Sequence, residues 1–352
     1  MALLNANVPV HVKDKGGRTA LDWAILKRHA RIADVLRAKG AISKVQANAP
    51  IVPNRGLLIL ETGIKIVDFC APLKRGAANA IFTPKSGVGK VVFIENVMQI
   101  MAENYGGHSI FFGVEQGDYN LRDMALQFHE AGLTDAVTLI FAQPGDTGSF
   151  KRAIEESIAA AKVRQGEMLI FADVAFAEQG LQMQLENVLS KNATLIWYGD
   201  HTAGAEPDNF ASLNALVTFE LWRAYQGFWP TIDPLHSRST LVIDERHARL
   251  LMQVRRLLRR FEDLRTVVEK DPRGMDALGT DDDRRDVDRA RKLHAFFSQP
   301  FAVAEMYTNL LGEYVPLTDT LDGVEAILAG KADDVAEEKL RFIGGMDRYF
   351  RR

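Results

Sequence analysis

Residues 83–92 read TPKSGVGKVV. They lie between a short apolar run, ANAIF (78–82), and a run with helical spacing, VVFIENVMQIMAEN (91–104). A strand, a glycine-rich loop and a helix form the context in which Gly-Lys reads as a phosphate-binding loop. Successive backbone N–H groups at a helix start would cradle phosphate oxygens, which assigns Ser86, Gly87, Val88, Gly89, Lys90 and Val91 to that role. Two positions depart from the pattern. Pro84 stands where the first glycine belongs, so an N–H donor and the freedom of the turn are lost. Val91 stands where a Ser or Thr belongs, and it offers no oxygen to magnesium, which takes oxygen ligands. The stretch predicts a loop that holds nucleotide but is poorly equipped for metal-assisted chemistry. The competing reading is a glycine turn between strand and helix that holds nothing.

Working outward, HSIFFGV (108–114), AVTLIFA (136–142), EMLIFADV (167–174) and ATLIWYG (193–199) are short apolar runs bounded by polar or turn residues. Helix-like stretches separate most of them, which predicts an α/β domain with a largely parallel sheet. Asp173 ends one of these runs, where an acid suits a water-mediated magnesium ligand opposite a phosphate loop. From 244 the texture changes. DERHARLLMQVRRLLRRFEDLRTVVEK (244–270) reads as one long amphipathic helix, and further helical patterns follow to the end. Arg249, Arg255, Arg256, Arg259 and Arg260 on it alternate with acids and read as a solvated face, not a nucleic-acid surface.

Upstream, residues 8–41 form a unit of their own. GRTALDWA reads as a turn feeding a helix with Thr19 as its cap, and Ile32, Ala33, Val35 and Leu36 give one face of a second helix closed by Gly40. This resembles an ankyrin repeat, with TALDWA where that family has Thr-Pro-Leu-His-x-Ala. One copy cannot bury both faces, so it would dock on the rest of the chain or on a protein partner. ANAPIVPNRG (47–56) reads as a linker. The expected division is therefore an ankyrin-like repeat over 1–46, a linker over 47–56, a nucleotide-binding domain over 57–243 and a helical domain over 244–352.

The bulk numbers leave these readings standing. At 352 residues, 47% apolar and 25% charged, the chain reads as globular, and a net charge of −3 gives no reason to expect nucleic acid. The single cysteine, Cys70, excludes an internal disulfide framework and points to a reducing, cytoplasmic setting. No run is long enough to span a bilayer, and the start lacks a secretory pattern, so membrane association is expected only through partners. The eight histidines are scattered without metal-ligand spacing, so zinc is not expected.

Four stretches carry a second resemblance: ETGIKIVDFCAPLKRGAANAIF (61–82), SGVGK (86–90), GFWPTIDPL (227–235) and the long block FFSQPFAVAEMYTNLLGEYVPLTDTLDGVEAILAGKADDVAEEKLRFIGG (296–345). Together they closely resemble the catalytic beta subunit of rotary ATP synthases over residues 57–350, with the ankyrin-like unit where that family has a β-barrel. The resemblance implies a RecA-type P-loop fold followed by a helical C-terminal domain. It implies ATP or ADP as ligand, with an adenine pocket at Trp229, Phe301, Ala304 and Tyr307. Each of the four also reads as an ordinary core residue. Lys90 matches the family's phosphate lysine and Asp173 its strand-end aspartate. The implied partners are alpha-like subunits that share the nucleotide site within a ring. DALGTDDD (276–283) stands where the family has an acidic rotor-contacting loop, so Asp276, Asp281, Asp282 and Asp283 read as a partner contact or as a solvated acidic turn.

The family's chemistry does not carry over. Where it has GVGERTREG, whose Glu activates the attacking water, this chain reads GVEQGDYN (113–120), shorter by about four residues on that alignment. Glu115 is the nearest carboxylate but stands at a later position. The segment after Asp173 is also shorter than in the family and lacks its catalytic arginine. Three readings follow: a beta-type subunit that binds nucleotide without turning it over, a divergent active magnesium ATPase using Glu115 and Asp173, and a scaffold with a closed site. The first is preferred, because phosphoryl transfer relies on the missing charge-placing groups acting jointly.

Overall fold

The computed structural model describes residues 10–13, 19–26, 30–43, 58–84, 88–114, 121–130, 133–143, 145–163, 166–178, 180–186, 193–200, 210, 213–271 and 274–346. The chain divides into two compact units, Met1–Val52 and Pro53–Arg352. The expected linker at 47–56 lies outside the described residues.

In the first unit two short helices, Ala20–Leu26 and Ala30–Ala38, follow each other. Thr19 and Asp22 cap the first reciprocally: the Asp22 N–H donates to Thr19 Oγ1 at 3.2 Å and the Thr19 N–H donates to Asp22 Oδ2 at 2.7 Å. The Ser43 hydroxyl donates to the other Asp22 oxygen, and these hydrogen bonds hold the Asp22 carboxyl below its ordinary range. Leu21, Ala24, Leu36 and Ala41 bury against one another as a small core, with Val10 packed on it.

The second unit is built on a sheet of seven strands. Ile59–Leu60 (β1) and Leu73–Lys74 (β2) form a separate two-stranded ribbon. The large sheet holds Ala78–Thr83 (β3), His108–Val114 (β4), Val137–Ala142 (β5), Met168–Asp173 (β6), Ala193–Asp200 (β7), Ala215–Thr218 (β8) and Arg238–Ser239 (β9). Its order is β5-β4-β6-β7-β3-β8-β9. Every pairing is parallel except β8 with the edge strand β9. The apolar runs are continuous because both sheet faces are covered. Ile81, Phe111, Phe171, Ile196 and Val217 enter one core with the Lys90–Tyr105 helix and the C-terminal helices. Their chain neighbours Ala80, Phe82, Ile110, Phe112, Ile170 and Trp197 enter the opposite core with the Thr147–Val163 and Val174–Glu178 helices. The period-two alternation of a strand thus serves two apolar layers at once.

The helical C-terminal segment packs within this same unit. The helix predicted from 244 runs Glu245–Lys270, capped by the Asp244 side chain, which accepts from the His247 N–H at 2.7 Å. It lies against Asp281–Phe297 and Leu317–Leu328. A buried Arg223 fastens the 227–235 segment to these helices. Its Nε donates to the Ile232 carbonyl at 2.6 Å, and its two terminal nitrogens donate to His294 Nδ1 at 3.0 and 2.7 Å. Burial, then the arginine charge, drives the His294 pKa well below the ordinary range, so the ring is neutral and free to accept. Lys65, also buried, donates to the Ile343 carbonyl at 2.6 Å and lies 4.4 Å from the Phe296 ring centroid. Among the described residues no helix is long and apolar enough to cross a membrane.

Candidate nucleotide site at the ends of three parallel strands

The site is assembled at the ends of β3, β7 and β6, which are adjacent in the sheet. Of the loop residues singled out in the sequence, Ser86 and Gly87 lie outside the described residues, as does Glu115. Val88, Gly89, Lys90 and Val91 are described. Gly89 takes a left-handed conformation (φ 84°) as the residue before the Lys90–Tyr105 helix. The backbone angle favours glycine, and a Cβ there would come within 3.1 Å of the Trp229 ring, a tight approach. The 227–235 segment closes on the loop from this side, and the Thr231 hydroxyl donates to the Val88 carbonyl at 2.8 Å.

Lys90 is the first helical residue, so it stands at the helix N-terminus, where backbone N–H groups point outward along the axis. Its Nζ lies 2.5 Å from Asp200 Oδ1 and 6.0 Å from the centroid of the Tyr198 ring. The same Asp200 oxygen accepts from Thr83 Oγ1 at 2.9 Å. Parallel pairing explains this meeting: Thr83 on β3 and Asp200 on β7 are partners in register. Tyr198 lies two residues earlier on β7, on the same face, and is itself stacked on Phe111 at 5.1 Å. Asp173 sits opposite Tyr198 in the β6–β7 register. Burial raises the Asp173 pKa, while the Ala175 N–H, donating at 2.9 Å, and the Lys90 charge oppose that rise. Lys90, Asp173 and Asp200 are thus brought together. Val91, next along the helix, presents only hydrocarbon.

The four residues expected to hold adenine are distributed unevenly. Trp229 borders Gly89 and is 39% exposed. Its carbonyl accepts from the Gln299 N–H at 2.7 Å, tying it to the segment that leads into Phe301. Phe301 is buried with its ring 6.2 Å from Phe93, and Ala304 is half-buried against the same core. Tyr307 is 79% exposed. Trp229 thus borders the loop at Gly89, Phe301 and Ala304 pack into the core beside Phe93, and Tyr307 faces solvent.

The acidic stretch also divides. Asp276 lies on a short turn, Gly274–Ala277. Asp281, Asp282 and Asp283 form the first turn of the next helix, where carboxylates favour the helix dipole. Each pairs within the chain: Asp281 with Arg284 at 2.6 Å, Asp282 with Arg285 at 2.5 Å, and Asp283 with Arg260 at 2.5 Å. Arg260, then Thr280, holds the Asp283 carboxyl below its usual range.

Sequence reasoning missed Asp200, Thr83 and Glu95. Asp200 is the residue immediately after the quoted run ATLIWYG, so the signal used for Asp173, an acid closing an apolar strand, would have found it. Glu95 is 7% exposed on the helix that begins at Lys90, its Oε1 has no hydrogen-bond partner among the described residues, and burial pushes its pKa up to about 7. Among the described residues no cluster of three acids, histidines or cysteines could hold a metal ion by itself.

No family model matches the chain. Among solved structures, the chain is similar to a unique ATP synthase subunit, NeqB, from Nanoarcheaum equitans, at 17% identity and a TM-score of 0.60. The match covers 80% of this chain and 78% of that one. At that identity the likeness establishes a shared fold alone.

Proposed function

We propose that this chain is a beta-type, nucleotide-binding subunit of an ATP synthase-like head, or of a ring derived from one, and that it holds ADP or ATP without turning it over. The observation that carries the reading is the company of Lys90: the first residue of a helix, preceded by a left-handed Gly89, with strand-end acids Asp173 and Asp200 alongside. A helix start with a lysine suits a polyphosphate. Trp229 beside Gly89 supplies an aromatic face for the base. Magnesium would find carboxylates here but no hydroxyl at position 91, so it would add little to binding. Alpha-like subunits are the partners this reading assigns, with the first unit docking on a further protein.

Phosphate release from magnesium-ATP tests the impaired chemistry. The wild-type chain is expected to release none above background. Val91→Thr is expected to make nucleotide binding respond to magnesium while release stays at background, because the activating carboxylate and the arginine remain missing. Wild-type turnover that is lost in Lys90→Ala would contradict this reading and establish the active-ATPase alternative.

A further inference from the structure

We propose that Asp200 is a built-in competitor for the phosphate-binding lysine, an acidic latch that nucleotide must displace to bind. The inference rests on the nucleotide-site reading and specifies how that site is regulated. The Lys90 side chain is 11% exposed and is held on two sides, by Asp200 Oδ1 at 2.5 Å and by the face of Tyr198. Asp200 is held in turn by the Thr83 hydroxyl on the neighbouring strand. The latch is therefore built from the strand register itself, with lysine, acid and hydroxyl on the helix start, β7 and β3.

A phosphate at the helix start would need the ammonium that Asp200 occupies. It would also meet the Asp200 carboxylate at close range, where like charges repel. Asp200 has somewhere to go. Its side chain is 54% exposed at the last position of β7, so a change of rotamer can carry the carboxylate into water. An ion pair with one partner so exposed is weak, which suits a latch that a polyphosphate opens. Asp200 thus lowers nucleotide affinity without removing any group that contacts nucleotide.

The test is fluorescence titration of the full chain with a fluorescent ADP analogue in the presence of EDTA, with folding of each variant checked by circular dichroism. Asp200→Asn keeps an oxygen for Thr83 and removes the charge. It is expected to bind about fivefold more tightly than wild type, the factor released by freeing an ion pair of about 1 kcal/mol. Measured against Lys90→Ala, the gain in Lys90→Ala/Asp200→Asn should be smaller, because most of it is exerted through the lysine and the remainder is relief of repulsion. Thr83→Val, which loosens Asp200 from the other side, should give a smaller gain and decides the matter if Asp200→Asn does not fold. Wild-type binding that Asp200→Asn leaves equal or weaker would overturn the latch and leave the nucleotide site standing. A gain of the same size without Lys90 would also overturn it. No binding by wild type or variant would overturn the nucleotide reading and the latch together.

Discussion

Glu95 places a carboxyl in a helix flank where nothing among the described residues meets its Oε1. Burial raises its pKa from 4.5 to about 7. The folded chain therefore binds this proton more tightly than the unfolded chain does. Stability from this group is fully present below pH 4.5 and is lost as pH rises to about 7. Glu95→Gln removes the cost of ionising a buried acid. Urea unfolding should show the variant gaining on the order of 2 kcal/mol relative to wild type at pH 8, with little difference near pH 4. The same difference at both pH values would mean that the carboxyl is solvated in the folded chain. Thr19 makes a simpler residue-scale case in the first unit. Its hydroxyl accepts the Asp22 N–H, so Thr19→Ala should cost about 1 kcal/mol, read as faster amide exchange over Ala20–Leu26.

At the scale of elements, what was legible in the sequence was what is written locally. ANAIF, HSIFFGV and EMLIFADV are strands because each has enough consecutive apolar residues to fill both sheet faces. The 244–270 helix was legible through its apolar period and its acidic cap. ALVT and the two-residue edge strand were not among the apolar runs singled out, being too short to outweigh their surroundings. The Lys90–Asp200 pair was not legible either, since it depends on β7 lying beside β3 in a particular register, 110 residues away along the chain. The exposure of Tyr307 likewise was not legible, since it follows from where the short helix Glu305–Thr308 lies. Helix packing gives the element-scale prediction. A Cβ on Gly323 would come within 2.2 Å of the Phe296 ring, so the Leu317–Leu328 helix approaches Asp281–Phe297 closely because position 323 has no side chain. Gly323→Ala should destabilise the second unit by about 1–3 kcal/mol, seen as a lower urea midpoint with an unchanged slope.

At the scale of the whole molecule, one unit is built on a mostly parallel seven-stranded sheet, the other has its own small core, and the chain shares its fold with an ATP synthase subunit at 17% identity. The sheet ends collect a lysine and two carboxylates around a helix start, and the side chain at position 91 carries no oxygen. On the function proposed above, this arrangement binds nucleotide through Lys90 with little help from magnesium. Calorimetric titration of the purified chain with ADP, with and without magnesium, beside Lys90→Ala, tests it directly. Binding that magnesium barely changes and that Lys90→Ala strongly weakens is the expected result. Binding that requires magnesium, or the absence of binding in every condition, would contradict it.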